Sequence, residues 1–220
     1  MLKKDLSLYC LKYAESVLPE SMVFSGGNSD KNLPISFAVY LIKTEDRYIL
    51  VDAGCDTMPG FDMKRFYSPA FVLREADISP DQITDLVITH AHHDHIEDIK
   101  HFGNAVVHIT KEEYISGKKY IREDMKINII DDEYDIADGV KIIKIGGHSV
   151  GSAVVEIKNK NITYVIAGDE CYSDKCIEFK IPTGTSQNAE KSKYFIEKYS
   201  DKKYKVLTMH DIKIKTERII

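Results

Sequence analysis

The chain has no excess of basic residues. Its 30 lysines and arginines are outnumbered by 35 acidic residues, leaving a net charge of −5. The lysines are scattered among acids, as on a solvated face, which argues against nucleic acid as a partner. An N-terminal apolar core is also missing. Met1-Leu2-Lys3-Lys4-Asp5 leads into mixed residues, so no secretion signal is expected. No apolar stretch is long enough to cross a bilayer, which argues against a membrane partner. Cysteines are few: Cys10, Cys55, Cys171 and Cys176, with no paired framework. Without a secretion signal they read as the reduced thiols of a cytoplasmic protein. There are no internal repeats and no low-complexity segments.

What is present is ordinary for a globular chain. Of 220 residues, 43% are hydrophobic and 30% charged, enough to bury a sizeable core in one domain, expected to span residues 1–220. Residues 6–17 show no clean face and read as a strand with an entry turn. Residues 25–30 are a loop by composition. Residues 35–42 and 48–51, rich in β-formers, make a hairpin across a polar turn. Residues 55–68 form a long irregular connection, either a lid or an ordinary surface crossover. Residues 69–76 read as a helix capped by Ser68 with Pro69 in its first turn, and residues 79–82 as a short helical turn. Strands are expected over 105–109, 126–130, 140–145, 153–157, 162–167 and 205–208. Helices are expected from Lys111, capped by Thr110, and over 188–199.

The most informative stretch is Thr89-His90-Ala91-His92-His93-Asp94-His95, four imidazoles and a carboxylate within six residues. An apolar run, Leu86-Val87-Ile88, leads in as a buried strand, and residues 96–100 read as a helix start. The cluster therefore falls on a turn at a strand end, where α/β proteins place their chemistry. Neutral imidazoles and carboxylates suit divalent first-row metals. His90 and His92 alternate by two, so extended backbone points both to one side. Asp94 and His95 follow at the turn and are better placed to face a second position. That is an open dinuclear arrangement, not a closed structural site. Three more strands end in metal-capable residues: His148 in Gly147-His148-Ser149-Val150-Gly151, Asp169 in Gly168-Asp169, and His210.

These motifs, with Asp52-Ala53-Gly54 at an early strand end, resemble the metallo-β-lactamase superfamily. The match runs from about Phe37 to His210 in the family's order. The resemblance implies an α/β (α+β) fold, a four-layer αββα sandwich, with two metal ions at the sheet edge. His90, His92 and His148 would hold the first ion. Asp94, His95 and His210 would hold the second, and Asp169 would bridge both. Asp52 would fix a ligand imidazole through its other nitrogen. His93 falls on a variable position, and Cys171 reads as a buried small apolar residue.

Some features depart from other branches. Ser149 stands where many hydrolytic members have Thr. The chain ends at Ile220 without the helical domain that glyoxalase II-type members carry after the last ligand. His92 stands where flavodiiron-type members have Glu, which argues against an oxygen-reducing di-iron role.

Two metals about 3.5–4 Å apart can share a water and lower its pKa, giving a bridging hydroxide that attacks a carbonyl or phosphoryl centre. Asp94 would orient the nucleophile or shuttle a proton. Tyr172, three residues after Asp169, is similar in spacing to the N-acyl homoserine lactonase branch, where a tyrosine hydroxyl contacts the substrate carbonyl; packing is its other reading. The expected activity is hydrolysis of a small-molecule lactone or other ester-like bond, with Asp94 and Tyr172 as catalytic residues. A thioester hydrolase of glyoxalase II type, or a non-catalytic metal-binding or ligand-sensing protein on the same fold, is the alternative. Nitrogen and oxygen donors without thiolate suit Zn2+, Mn or Fe; the family favours zinc.

Overall fold

The computed structural model describes residues 6–220; the reading of residues 1–5 lies outside the described residues. In chain order the strands are β1 (Ser7–Pro19), β2 (Asn32–Lys43), β3 (Tyr48–Val51), β4 (Asp85–Val87), β5 (Val106–Thr110), β6 (Lys126–Ile130), β7 (Glu133–Ala137), β8 (Val140–Lys144), β9 (Ala153–Asn159), β10 (Ile162–Ile166), β11 (Tyr204–Leu207) and β12 (Glu217–Arg218). The α-helices are α1 (Glu20–Val23), α2 (Pro69–Glu75), α3 (His93–Ile96), α4 (Lys111–Ser116), α5 (Asp174–Glu178) and α6 (Ala189–Tyr199).

Two sheets form. One has seven strands in the order β12-β1-β2-β3-β4-β5-β6, the other five in the order β11-β10-β9-β8-β7. Side chains alternate between two environments along each inner strand, as a pleated strand requires. Along β2, Ala38, Tyr40 and Ile42 enter the layer between the sheets, where they meet Val155, Ile157 and Ile166. Val39 and Leu41 turn to the opposite face and pack with Leu73, Ile96, Ile99 and Phe102. The second sheet covers its own outer face with Phe195, Ile196 and Tyr199 of α6. Helix, sheet, sheet and helix therefore stack in four layers, the expected αββα sandwich.

Differences from the sequence reading have local causes. β1 runs 13 residues, and its alternation is hidden by a register shift between Lys12 and Ala14; a bulge of this kind swaps the faces midway. β7 is a charged edge strand in which Ile136 is the buried residue, so it carries no apolar signature. The helix expected from residue 96 begins three residues earlier as α3 and continues as a tight 3-10 turn over Glu97–His101. Ser68 caps α2 as expected, accepting from the Phe71 amide. Thr110 occupies the cap position of α4, but its hydroxyl donates to the Gly151 carbonyl at 2.8 Å and leaves the helix amides alone. Residues 55–68 are irregular, tied to β1 by a bridge between Glu15 and Lys64.

Candidate metal centre

The strand ends meet at one rim of the sandwich. β3 delivers Asp52, β4 leads to His90 and His92, β8 leads to His148, β10 to Asp169 and β11 to His210. The turn after β4 is held by Asp52. Its Oδ1 accepts from the Thr89 amide, and its Oδ2 accepts from the Thr89 hydroxyl and from His95 Nδ1, all at 2.7 Å. Asp52 has φ +65°, a left-handed conformation that Asp and Asn tolerate better than most residues. Gly168, at φ +52°, leaves room for Thr89: a Cβ there would lie 2.9 Å from Thr89 Oγ1.

Two donor sets result. Nε2 of His90 and Nε2 of His148 each lie 3.0 Å from Nδ1 of His92. Asp169 Oδ2 is 3.5 Å from His90 Nε2 and 3.4 Å from His148 Nε2. The other oxygen of Asp169, Oδ1, faces His95 Nε2 at 3.1 Å and His210 Nε2 at 2.9 Å. Asp94 Oδ2 completes that second group, 3.6 Å from His95 Nε2 and 3.8 Å from His210 Nε2. Within His90, His92, His148 and Asp169, and within Asp94, His95 and His210, the donor atoms lie within 4.8 Å of one another. All seven residues expected as ligands are thus brought together. His93 stays outside, its Nε2 2.9 Å from the Thr57 carbonyl and its Nδ1 3.2 Å from the Tyr120 hydroxyl.

The outward ring nitrogens decide which lone pairs are available. Thr89 gives its hydroxyl proton to Asp52, so at 3.2 Å it can only accept from His90 Nδ1. His210 Nδ1 donates to the Ser36 carbonyl at 3.0 Å. His148 Nδ1 lies 3.2 Å from Thr185 Oγ1. With these protons outside, His90 and His148 both turn lone pairs toward His92. A hydrogen on His92 Nδ1, or a metal ion among the three nitrogens, would hold that arrangement together. Burial lowers the His90 pKa, and pushes His148 down to about 4, so both rings are neutral and free to ligate. Burial opposes ionisation of Asp169, but His95 and His210 prevail and hold its carboxyl well below the usual range. Burial likewise disfavours a charged His95, yet Asp169, Asp94 and Asp52 outweigh it and raise its pKa. A buried acid-rich set that draws protons onto imidazoles where cations would neutralise it fits divalent ions with N and O donors.

Tyr172 is buried, its ring 4.8 Å from that of His210 and 6.2 Å from that of His148. Several supporting residues left no mark in the sequence. Glu113 accepts from the Ala91 amide at 2.8 Å, the Ser149 hydroxyl at 2.7 Å and the Gly151 amide at 2.9 Å, bracing the two histidine turns together. Glu170 accepts from the Gly147 and His148 amides, both at 3.0 Å. The Tyr13 hydroxyl donates to the Asp94 carbonyl at 2.8 Å. Glu170 could have been suspected from its place beside Asp169; Glu113 and Tyr13 reach the site only through tertiary contact. Cys171 is buried, as expected, with its thiol on the Ser173 carbonyl. Among the described residues, no helix is long and apolar enough to cross a membrane.

Comparison with known proteins agrees with this fold. The family profile of the metallo-beta-lactamase superfamily matches residues 38–208. An N-acyl homoserine lactonase of Bacillus thuringiensis is 24% identical over 202 residues, covering 80% of either chain. The solved quorum-quenching N-acyl homoserine lactone hydrolase superposes with a TM-score of 0.85 at 23% identity, across 97% of this chain and 98% of its own. The dizinc quorum-quenching lactonase AidC superposes with a TM-score of 0.78 at 20% identity, across 96% and 90%.

Proposed function

Since this chain belongs to the metallo-β-lactamase superfamily, we propose that it is a metal-dependent hydrolase that holds two divalent ions, zinc by preference, and opens a lactone or related ester. The observation that carries this reading is the division of the Asp169 carboxylate, one oxygen toward His90 and His148 and the other toward His95 and His210. His90, His92 and His148 would hold one ion, Asp94, His95 and His210 the other, with Asp169 shared. When bound, such ions acidify a water and draw charge from a carbonyl.

The chain's own groups do the rest. Asp94 keeps 17% of its side chain exposed against 2% for Asp169. It is therefore the carboxylate able to orient a nucleophile and carry a proton to the departing alkoxide. Tyr172, packed against His210, supplies a hydroxyl to the carbonyl oxygen as it gains charge. Thr89, Ser36 and Asp52 keep the imidazoles in the tautomers that ligation needs. The lactonase relatives support the choice of a cyclic ester over other acyl substrates. A panel of lactones, thioesters and phosphodiesters, run with and without chelator, tests the reading. Chelator-sensitive turnover of lactones above the other classes is expected; no turnover of any lactone with both ions present would overturn it.

A further inference from the structure

Thr185 lies in the irregular segment between α5 and α6 and is half-buried. Its Oγ1 is 3.2 Å from His148 Nδ1, 3.3 Å from the Tyr172 hydroxyl and 3.4 Å from Thr183 Oγ1. A hydroxyl has one proton to give and two positions that accept. His148 turns Nε2 inward, toward His92 and Asp169. As a neutral ligand it keeps its proton on Nδ1, and Thr185 accepts it. Thr183, itself 3.1 Å from Ser186 Oγ, can fill the second accepting position. The proton left on Thr185 is directed to Tyr172, and the contact runs with Thr185 as donor. The Tyr172 oxygen is thereby an acceptor toward Thr185, and its own proton turns away from Thr185, toward Asp169 and the site.

We infer that Thr185 is a positioning residue that orders the hydrogens of a His148–Thr185–Tyr172 chain, so that Tyr172 meets substrate oxygen only as a donor. The inference rests on the proposed hydrolase reading, because the order starts from Nε2 ligation by His148. It explains how a packed tyrosine, whose hydroxyl proton could otherwise turn to Thr185, is kept ready for a carbonyl. Thr185 touches neither ion nor reacting atoms in this scheme; it acts through its two neighbours.

The test uses Thr185→Val, which keeps the shape and removes the hydroxyl, Thr185→Ser, which keeps the hydroxyl, and a cycle with Tyr172→Phe. At saturating metal, Thr185→Val is expected to lower kcat on the best lactone about tenfold with little change in KM. Thr185→Ser stays within about twofold of the parent. In the Tyr172→Phe background the valine substitution costs less than about twofold, since no phenol proton remains to be ordered. Chelator competition, which needs no substrate, should find metal affinity about tenfold weaker in Thr185→Val and restored in Thr185→Ser. Parental kcat in Thr185→Val, valine and phenylalanine losses that simply multiply, or a serine variant that fails to restore would overturn the inference while leaving the hydrolase reading intact. A parent with no lactone turnover sinks that reading instead; unchanged metal affinity in Thr185→Val then overturns the inference as well.

Discussion

Replacing Asp52 with Asn probes how the protein prepares its imidazoles. The carboxylate takes three hydrogen bonds at 2.7 Å, two of them on Oδ2 from Thr89 Oγ1 and His95 Nδ1. Asn can keep the Oδ1 contact to the Thr89 amide and accepts the φ of +65° without new strain. Its NH2, however, now faces two donors. A neutral His95 would then keep its proton on Nε2, the nitrogen that points at Asp94, Asp169 and His210, with its lone pair turned to the new NH2 instead of a metal ion. Each of the two Oδ2 bonds is charge-assisted and worth about 1.5–3 kcal/mol. Losing a partner of this kind lowers metal affinity about 10–100-fold, or about 1.4–2.7 kcal/mol. Two partners are disturbed at once, so the upper end is expected. Chelator competition measures the affinity, and circular dichroism of the metal-free variant checks that it folds. A folded Asp52→Asn protein that binds metal within about threefold of the parent would refute the idea that this carboxylate sets the His95 tautomer.

Other substitutions separate the remaining roles. Tyr172→Phe should lower kcat on the true substrate about 10–100-fold with metal content unchanged, measured by steady-state kinetics and elemental analysis; unaltered kinetics would leave the ring a packing group. Glu113→Gln removes one of three acceptor contacts between the histidine turns and should cost about 1–3 kcal/mol in urea unfolding; a neutral result would contradict the bracing role. Asp98 is buried, with Oδ2 on the Ala70 amide and Oδ1 3.2 Å from His101 Nε2, and burial raises its carboxyl to about 7. A raised pKa means that the folded chain holds a proton the unfolded chain has lost. The stability from this group is therefore complete below about pH 4 and lost as pH rises through about 7. Asp98→Asn removes that titration and keeps the amide contact. With the linkage figure halved for solvent screening, the variant should gain about 1–2 kcal/mol on the parent between pH 5 and pH 8. Unfolding curves with the parent's pH dependence would contradict this.

The site was most legible where its residues are neighbours in sequence. The run from His90 to His95 puts five donor-bearing residues within six consecutive positions, so composition and spacing carried its meaning. His148, Asp169 and His210 could be found because each closes an apolar strand, and strand ends gather at one rim of a sandwich. Thr185, Glu113 and Ser36 could not, because each acts across the fold: Ser36 is 174 residues from His210 and Thr185 is 37 from His148. Nothing local distinguishes such a hydroxyl or carbonyl from its neighbours. Thr110 makes the same point in reverse. It has the sequence context of a helix cap, but Gly151 from a distant turn takes its proton. Among the strands, β7 and β12 were silent because these two edge strands are built mostly from polar or charged, exposed residues.

In the proposed reading two cations would share one carboxylate, Asp169. A crystal structure of the purified protein, with anomalous scattering at the zinc edge and elemental analysis of the same sample, tests it directly. Two ions per chain are expected, one among His90, His92 and His148 and one among Asp94, His95 and His210, with an Asp169 oxygen on each. A single ion, or Asp169 turned away from both, would contradict the account.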